Sequence, residues 1–504
     1  MRAVRRMPHR RSAPGPAFTL KTIPWERVGV ADGRYERPPA LATYRPMQYH
    51  PGQRRREHPH VSMHGMKVPP MTDRPRVLAI AEACNPEWVS VPLVGWSLVR
   101  ALKAVADVHI VTQIRNRDAL LRAGLVEHED FTALDSEALA APLWRAAEVL
   151  RLGQGKGWTT VQALAALAYP YFEYLLWQAF ADRLRAGEFD IVHRITPLTP
   201  TISSPVAPKC ARLGVPFVLG PINGGVRWPK EFAVERRRER EVLSYVRDAY
   251  KVLPGRRRTL AGASAILVGA RSAENDIPLR FREKCVYLPE NGIDPEKFSL
   301  RAAAIEGPAR ACFIGRMVPL KGTDMLIDAA APLLKSGRLK LDMIGDGPML
   351  PELRAQAERL GVGEAVAFHG WMEHADVQKI AARCTIFAFP SIREFGGGAV
   401  LEAMALGLVP VVVDYAGPSE LVTGETGVKV PLGTRDEIVA GFTSALGRLV
   451  DSPGEVREMG ENARRRVERF FTWQRKAEQV AEVYDWVLGK ASKPEFFDRT
   501  SEAV

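Results

Sequence analysis

The stretch REFGGGAVLE, residues 393–402, contains the side chains of this chain that are best suited to chemistry. Glu394 and Glu402 lie eight positions apart, with three glycines, Gly396, Gly397 and Gly398, between them. Glycines let a ligand approach the backbone closely, and the start of the helix that follows offers N–H groups and a positive dipole end to a phosphate. A fixed carboxylate accepts hydrogen bonds from adjacent hydroxyls. The stretch therefore indicates a nucleotide-sugar site, with Glu402 at the ribose and Glu394 at the sugar beyond the diphosphate. The spacing alone fits equally well a solvated loop acid and a helix-surface acid.

A second stretch, FIGRMVPLKG, supplies the cations that a diphosphate needs. Arg316 and Lys321 follow a predicted strand, with Gly315 and Gly322 beside them. Taken alone, this pair fits two solvated surface charges, and only the glycine loop makes a phosphate site the stronger interpretation. The chain contains no Asp-x-Asp, so a carboxylate-bound metal is not indicated. The two cations and the helix N-terminus would then stabilise the departing negative charge themselves.

The elements that position these residues follow an α/β pattern. After residue 74, short apolar runs rich in β-branched residues alternate with helical stretches, and the pattern restarts near residue 310. Such alternation predicts parallel sheets covered by helices on both faces, and ligands bind such sheets beyond the carboxyl ends of their strands. We predict two doubly wound sheets in series, separated by a loop within CVYLPENGIDPEKF, residues 285–298. The predicted divisions are a disordered basic extension (1–74), two Rossmann-like domains (75–295 and 296–471), a helix that packs back on the first domain (472–490) and a flexible tail (491–504).

The net charge of +12 does not identify a nucleic-acid partner. Residues 1–75 hold 15 Lys/Arg and 5 Asp/Glu, which leaves 55 against 53 for the rest, so the basic character belongs to the tail. No apolar segment follows its basic residues as a signal peptide requires. Residues 161–180 have the length of a membrane span and only one charge, Glu173, but Pro170, Gln162 and Gln178 favour a buried or interfacial helix. The five scattered cysteines are interpreted as small core residues.

Together, FIGR..PLKG, MIGDGP, VAFHGW, EFGGGAVLEAMALG and PENGID resemble the retaining glycosyltransferases of family 4. The resemblance covers about residues 75–488 and implies the GT-B arrangement, in which two Rossmann-like domains face each other across a cleft. It implies that Glu394 and Glu402 are the acids of an E-x7-E signature, that Arg316 and Lys321, next to Gly315, bind the diphosphate, and that Gly396 to Gly398 form the backbone-donor loop. The family usually has an apolar residue where Gly398 stands.

The resemblance is weaker in the N-terminal half. VPLVGWSLVRAL resembles the glycine-rich turn near the donor phosphate, with Gly95 alone where two glycines are common. VPFVLGPINGG resembles a subgroup that lacks the histidine found after this strand in many relatives. His193, at the end of DIVHRIT, and Asn223 are therefore the candidates for a catalytic residue in this half. A histidine at the end of a strand is more often structural.

The implied activity is transfer of a hexose from a nucleoside diphosphate sugar to an acceptor hydroxyl, with retention of anomeric configuration, no cofactor and no metal. The acceptor would be a saccharide or a lipid-linked sugar in the synthesis of cell-surface polysaccharide or glycolipid.

Residues 231–258, with nine Lys/Arg and five acids, fit either a basic amphipathic helix on anionic membrane or a solvated helix. We expect a cytoplasmic protein, at most peripheral to the inner face of the membrane, with no nucleic-acid partner. The alternatives are a sugar-nucleotide 2-epimerase and a non-catalytic sugar-nucleotide-binding subunit of a polysaccharide assembly complex.

Overall fold

Two parallel sheets form the framework of the molecule. The structure, a computed structural model, describes residues 74–142, 158–224, 226–233, 254–302 and 307–497. Within these residues the first sheet has seven strands in the order β3-β2-β1-β4-β5-β6-β7, and the second has six in the order β10-β9-β8-β11-β12-β13. The strands are β1 Arg76–Ala81, β2 Asp107–Gln113, β3 Phe131–Leu134, β4 Ile191–Thr196, β5 Phe217–Ile222, β6 Ala265–Val268, β7 Cys285–Tyr287, β8 Ala309–Ile314, β9 Leu339–Ile344, β10 Val366–Gly370, β11 Ile386–Phe389, β12 Val409–Asp414 and β13 Val428–Pro431. Both sheets belong to one compact unit.

The central strands are buried on both faces, as continuous apolar runs predict. Every residue of β4, β5 and β11 is buried. All the strand pairs are parallel, so the prediction of two doubly wound α/β sheets is confirmed. Short strands were harder to predict. Cys285–Tyr287 pairs with β6 at the edge of the first sheet, although the sequence suggested that a loop begins at residue 285.

Helices cover the sheets and connect their strands. They span Val91–Leu102, Arg117–Arg122, Trp158–Arg185, Ala207–Leu213, Pro254–Gly262, Arg271–Asn275, Thr323–Lys335, Leu350–Arg359, His374–Ala381, Gly398–Leu406, Ala416–Leu421, Arg435–Asp451, Pro453–Phe470 and Trp473–Val487. The last of these packs against Val91–Leu102 and buries Ala477, Val480 and Val483 in a core cluster of the N-terminal sheet. The C-terminal helix is thus part of the first sheet's cover.

The apolar helix Trp158–Arg185 carries a buried acid. Glu173 is fully buried and accepts hydrogen bonds from the Ser204 hydroxyl and, at 2.9 Å, from the Val206 N–H. Burial raises the pKa of Glu173. The helix therefore packs on the segment after β4, in line with the buried helix that the sequence predicts. None of the described helices is both long and apolar enough to cross a membrane.

Other sequence expectations concern small core residues and segments at the ends. All five cysteines are buried and free of disulfides, which confirms their interpretation as core residues. The basic extension up to residue 73, most of the basic segment 231–258 and residues 498–504 lie outside the described residues. The divisions predicted at residues 74, 295, 471 and 490 stay predictions.

Candidate functional site

The order of strands changes direction between β8 and β11, and the candidate site begins there. In an open parallel sheet, the loops after two such strands diverge and leave a crevice at the carboxyl edge. The loop after β8 carries Gly315 and Arg316, and the loop after β11 leads to Glu394 and the glycines. The fold thus brings together the two stretches that the sequence singled out, although 73 residues separate Lys321 from Glu394.

Glycines interlock the loops after β8 and β9. The Met317 N–H donates to the Asp346 carbonyl at 2.8 Å, and the Gly315 N–H donates to the Ile344 carbonyl at 3.0 Å. A Cβ on Gly345 would lie 2.0 Å from the Gly315 carbonyl oxygen, so a larger residue would force these loops apart. The backbone before Arg316 is therefore held firmly, while its side chain extends to an exposed position.

Lys321 and Glu394 form an ion pair at the centre of this edge. The Lys321 Nζ contacts the Glu394 carboxylate, and the two side chains are 18% and 21% exposed. The same Nζ lies 4.8 Å from the centroid of the Phe389 ring, the last residue of β11. Gly322, at φ +64°, ends the turn and leads into the helix Thr323–Lys335. The pair remains within reach of solvent, as residues that meet a ligand must.

The three loop glycines differ in how strictly the structure requires them. A Cβ on Gly396 would lie 2.3 Å from both Glu290 Oε1 and Asn291 Nδ2. Gly397, at φ +59°, is the N-cap of the helix Gly398–Leu406, a left-handed conformation that favours glycine. A Cβ on Gly398 would make only an ordinary contact, 3.6 Å from Asn291 Nδ2. Only Gly398 therefore has no structural reason in this conformation to be glycine.

Glu402 lies on the first turns of that helix, in a largely buried position. Its side chain is 19% exposed, and Oε1 lies 3.8 Å from His374 Nδ1. Burial raises the pKa of Glu402, and the nearby His374 opposes this rise. His374 begins the helix that follows β10, and Trp371, 46% exposed, lies in the loop before it. The helix after β10 thus approaches Glu402 through His374.

Loops that follow strands of the two sheets contact each other next to the glycine loop. The Arg393 Nε donates to the Val226 carbonyl at 3.0 Å, and its guanidinium lies 5.3 Å from the Trp228 ring. The Tyr415 hydroxyl donates to the Arg227 carbonyl at 2.8 Å. These contacts join the loop after β5 to the loops after β11 and β12. The N-terminal half therefore covers one side of the candidate site.

The structure places His193 in the core, away from the cleft. It is fully buried, with Nδ1 2.7 Å from the Tyr484 hydroxyl and Nε2 2.7 Å from the Gly220 carbonyl. Burial lowers its pKa to about 4, so the ring is neutral at ordinary pH. Both ring nitrogens are occupied by protein groups. This geometry does not support a catalytic role and indicates that His193 joins β4 and β5 to the C-terminal helix.

Gly95 and Asn223 differ in their surroundings. A Cβ on Gly95 would lie 2.2 Å from the Ala83 carbonyl oxygen and 3.1 Å from Thr196 Cγ2, so this glycine allows its helix to approach β1 and β4. Asn223 is half-buried, and its side chain acts to lower the pKa of the nearby Glu290 carboxyl group. Gly95 therefore has a packing function in this conformation, whereas Asn223 lies next to the glycine loop.

Sequence analysis missed two buried ionisable residues near the loop. Glu290, in PENGID, is 8% exposed, and Lys476, in the C-terminal helix, is 1% exposed. The signal available was the glutamate before Asn291-Gly292 in a segment that joins two sheets. Among the described residues no group of three or more His, Cys, Asp and Glu side chains is placed to hold a metal ion.

Comparison with known proteins points to one group of enzymes. Residues 296–466 match the family of glycosyl transferases group 1. The chain is 28% identical over 318 residues to an MMP alpha-(1->4)-mannosyltransferase of Mycolicibacterium hassiacum, which covers 61% of this chain and 73% of the relative. It is 32% identical to a glycogen synthase of Mycobacterium tuberculosis, over 40% of this chain and 48% of the relative. A D-inositol 3-phosphate glycosyltransferase of Gordonia bronchialis is also 32% identical, over 43% and 48%. The chain thus spans about half the length of these last two.

Solved structures share the fold at low sequence identity. A glycosyltransferase from Rickettsia africae superimposes with a TM-score of 0.55 at 14% identity, over 83% of this chain and all of the other. Anabaena Alr3699/HepE in complex with UDP gives a TM-score of 0.52 at 15% identity, over 81% and 99%. The shared arrangement of two Rossmann-like domains extends over both sheets.

Proposed function

This chain carries a domain of the glycosyl transferases group 1 family, and from that premise we propose that it transfers a hexose from a nucleoside diphosphate sugar to an acceptor hydroxyl with retention of configuration. The observation that carries the proposal is the Lys321–Glu394 pair, which lies at the switch point of the C-terminal sheet, next to the helix that begins at Gly398. A cation, a carboxylate and a helix N-terminus at one sheet edge suit a ligand that carries both phosphate and hydroxyl groups.

Each part of the donor has a candidate partner along this edge. The diphosphate is assigned to Lys321, Arg316 and the N-terminus of the helix Gly398–Leu406. The transferred sugar is assigned to Glu394, and the ribose to Glu402. The base lies toward Trp371, whose ring offers a face for stacking. The UDP complex of the Anabaena protein, which has the same fold, supports a nucleotide donor.

Lys321 and Glu394 each have a role in the proposed reaction. The bond between the anomeric carbon and the diphosphate oxygen breaks, and negative charge grows on the departing phosphate. Lys321 and Arg316 stabilise that charge by attraction, without a metal. The acceptor oxygen attacks the same face of the sugar, and its proton passes to the departing phosphate oxygen. Glu394 meanwhile orients the sugar through its hydroxyls.

The contacts of Arg393 and Tyr415 with the loop after β5 support a site closed off from water. Water would otherwise hydrolyse the donor, so a covered site favours transfer to the acceptor. We propose that the acceptor, a saccharide or a lipid-linked sugar, enters from the N-terminal half. An anionic membrane is the proposed partner of the basic segment 231–258 if the acceptor is lipid-linked.

The test is release of nucleoside diphosphate from uridine, guanosine and adenosine diphosphate hexoses, measured with and without a panel of sugar and lipid-linked acceptors. The proposal predicts release that depends on acceptor, and NMR of the product should show the anomeric configuration of the donor. Conversion of the donor to its 2-epimer without acceptor would favour an epimerase. Nucleotide binding without turnover of any donor would favour a non-catalytic subunit.

A further inference from the structure

Glu290 is an acid near the site that lies outside the E-x7-E pattern. It follows β7 by three residues, in the segment that joins the two sheets, and its side chain is 8% exposed. A buried acid is costly unless its surroundings compensate for it, so a defined role is expected. Its neighbours belong to three separate parts of the chain.

The first neighbour is the glycine loop. A Cβ on Gly396 would lie 2.3 Å from Glu290 Oε1, which means that the carboxyl group occupies the space beside this glycine. The Cβ of Glu290 and the ring of Phe395 both lie close to Gly269, 3.3 Å and 3.2 Å from a Cβ added to that glycine. Glu290 therefore contacts the loop at Gly396, which lies between Glu394 and Glu402. Gly396 is one residue away from Phe395 and two from Glu394.

The other neighbours come from the N-terminal sheet and the C-terminal helix. The Asn223 side chain lies near enough to the Glu290 carboxyl group to act on its pKa. The Lys476 Nζ contacts the Pro289 carbonyl, one residue before Glu290, and its charge interacts with the carboxyl group. Glu290 is thus the point at which the loop after β5, the helix Trp473–Val487 and the glycine loop meet.

The charge state of Glu290 matters because Glu394 is close. Burial, followed by repulsion from Glu394, raises the pKa of Glu290 to about 8, although Asn223 and Lys476 act in the opposite direction. Burial lowers the pKa of Lys476 to about 7. Among the described residues Glu290 Oε2 is buried with no hydrogen-bond partner, so an ionised carboxylate would be poorly compensated there. At neutral pH the protonated group adds no negative charge beside the Lys321–Glu394 pair.

We propose that Glu290 is a positioning residue that fixes the glycine loop at Gly396, and through it Glu394, in the place that donor binding requires. The inference rests on the proposed function for the identity of the donor. Ionisation of Glu290 would place a second carboxylate beside Glu394 and push the loop away. Nucleotide affinity should then fall as the pH rises through about 8, because loop order would have to be restored on binding.

The test compares the wild type with Glu290→Gln, Glu290→Ala and the control Glu364→Gln, an exposed acid just before β10. Affinities for uridine, guanosine and adenosine diphosphates are measured by calorimetry at pH 6.5 and 9. Between pH 6.5 and pH 9, the wild type and the control should lose about tenfold in nucleotide affinity, which is the effect of roughly one pKa unit of interaction. Glu290→Gln keeps the shape without the charge and should change less than twofold. Glu290→Ala should bind about tenfold more weakly at both pH values.

Hydrogen exchange of amides 393–399 in the protein without nucleotide gives a second readout. Corrected for the intrinsic effect of pH, exchange should accelerate at alkaline pH in the wild type and stay constant in Glu290→Gln. The inference is overturned if Glu290→Gln shows the same alkaline acceleration, or the same loss of affinity, as the wild type. If the wild type binds none of the three nucleotides at either pH, the proposed donor is wrong, and the exchange data still decide whether Glu290 positions the loop. If Glu290→Ala does not fold, the comparison with Glu290→Gln decides.

Discussion

The two sheets carry similar polar residues at different places along their strands, and these residues are put to different uses. In the N-terminal sheet, His193 and Arg194 lie within β4, where both are buried and bonded to protein groups: the Arg194 Nη1 donates to the Ile202 carbonyl at 2.9 Å. In the C-terminal sheet, Lys321 and Glu394 follow the ends of β8 and β11 and keep about a fifth of their side chains exposed. A polar residue inside a central strand must find its partners in the protein, whereas one just past the strand end can meet a ligand.

The largest effect should come from breaking the exposed pair. Lys321→Ala removes the cation assigned to the departing phosphate, and we expect kcat/KM to fall by about 10² to 10³, as when one preorganised donor is lost from a transition-state site. Steady-state assays measure it with the donor that the acceptor-dependent assay selects. Arg435→Ala, which removes an ion-paired arginine at the start of the helix Arg435–Asp451, is the control and should keep near wild-type activity. Equal losses in both variants would argue for a general effect on folding.

The buried histidine should affect stability and leave the pH dependence of the chemistry unchanged. The folded-state pKa of His193, about 4, lies below its unfolded value near 6.5, so the unfolded chain binds more protons between these pH values. Stability should therefore fall as the pH drops from 6.5 to 4, by at most about 3 kcal/mol. Denaturant unfolding of the wild type and of His193→Gln at several pH values checks this. A variant with the same acid dependence of unfolding as the wild type would contradict the assignment.

A smaller effect is expected from the helix contact in the N-terminal half. Gly95→Ala places a Cβ 2.2 Å from the Ala83 carbonyl oxygen, and we expect a loss of about 1 to 3 kcal/mol of unfolding free energy from overpacking. Gly447→Ala is the matched control, because no atom lies within 4 Å of its added Cβ and alanine favours its helix. Thermal unfolding should show a lower midpoint for the first and an unchanged or higher one for the second. If Gly95→Ala keeps the thermal midpoint of the wild type but loses nucleotide affinity, Gly95 lies at the ligand, as the family resemblance implies.

Sequence patterns predicted the sheets and the C-terminal site for related physical reasons. Continuous apolar runs identify central strands because both faces are buried, and Arg316, Lys321, Glu394 and the glycines come directly after such runs. The short edge strand Cys285–Tyr287 has too few residues for a recognisable pattern. Contacts between distant segments were also beyond sequence reasoning. The partners of His193 lie 27 and 291 residues away, and Glu290 meets Gly396 only because two sheets close on each other.

The most direct test of the central claim is calorimetric binding of uridine, guanosine and adenosine diphosphates to the wild type and to Glu402→Ala. We expect that one of the nucleotides binds and that the variant, while folded, loses about 1.5 to 3 kcal/mol, or roughly tenfold to a hundredfold in affinity, because the ribose loses a charged acceptor. Equal binding by a folded Glu402→Ala would contradict the ribose assignment. No binding by the wild type would contradict the donor site itself.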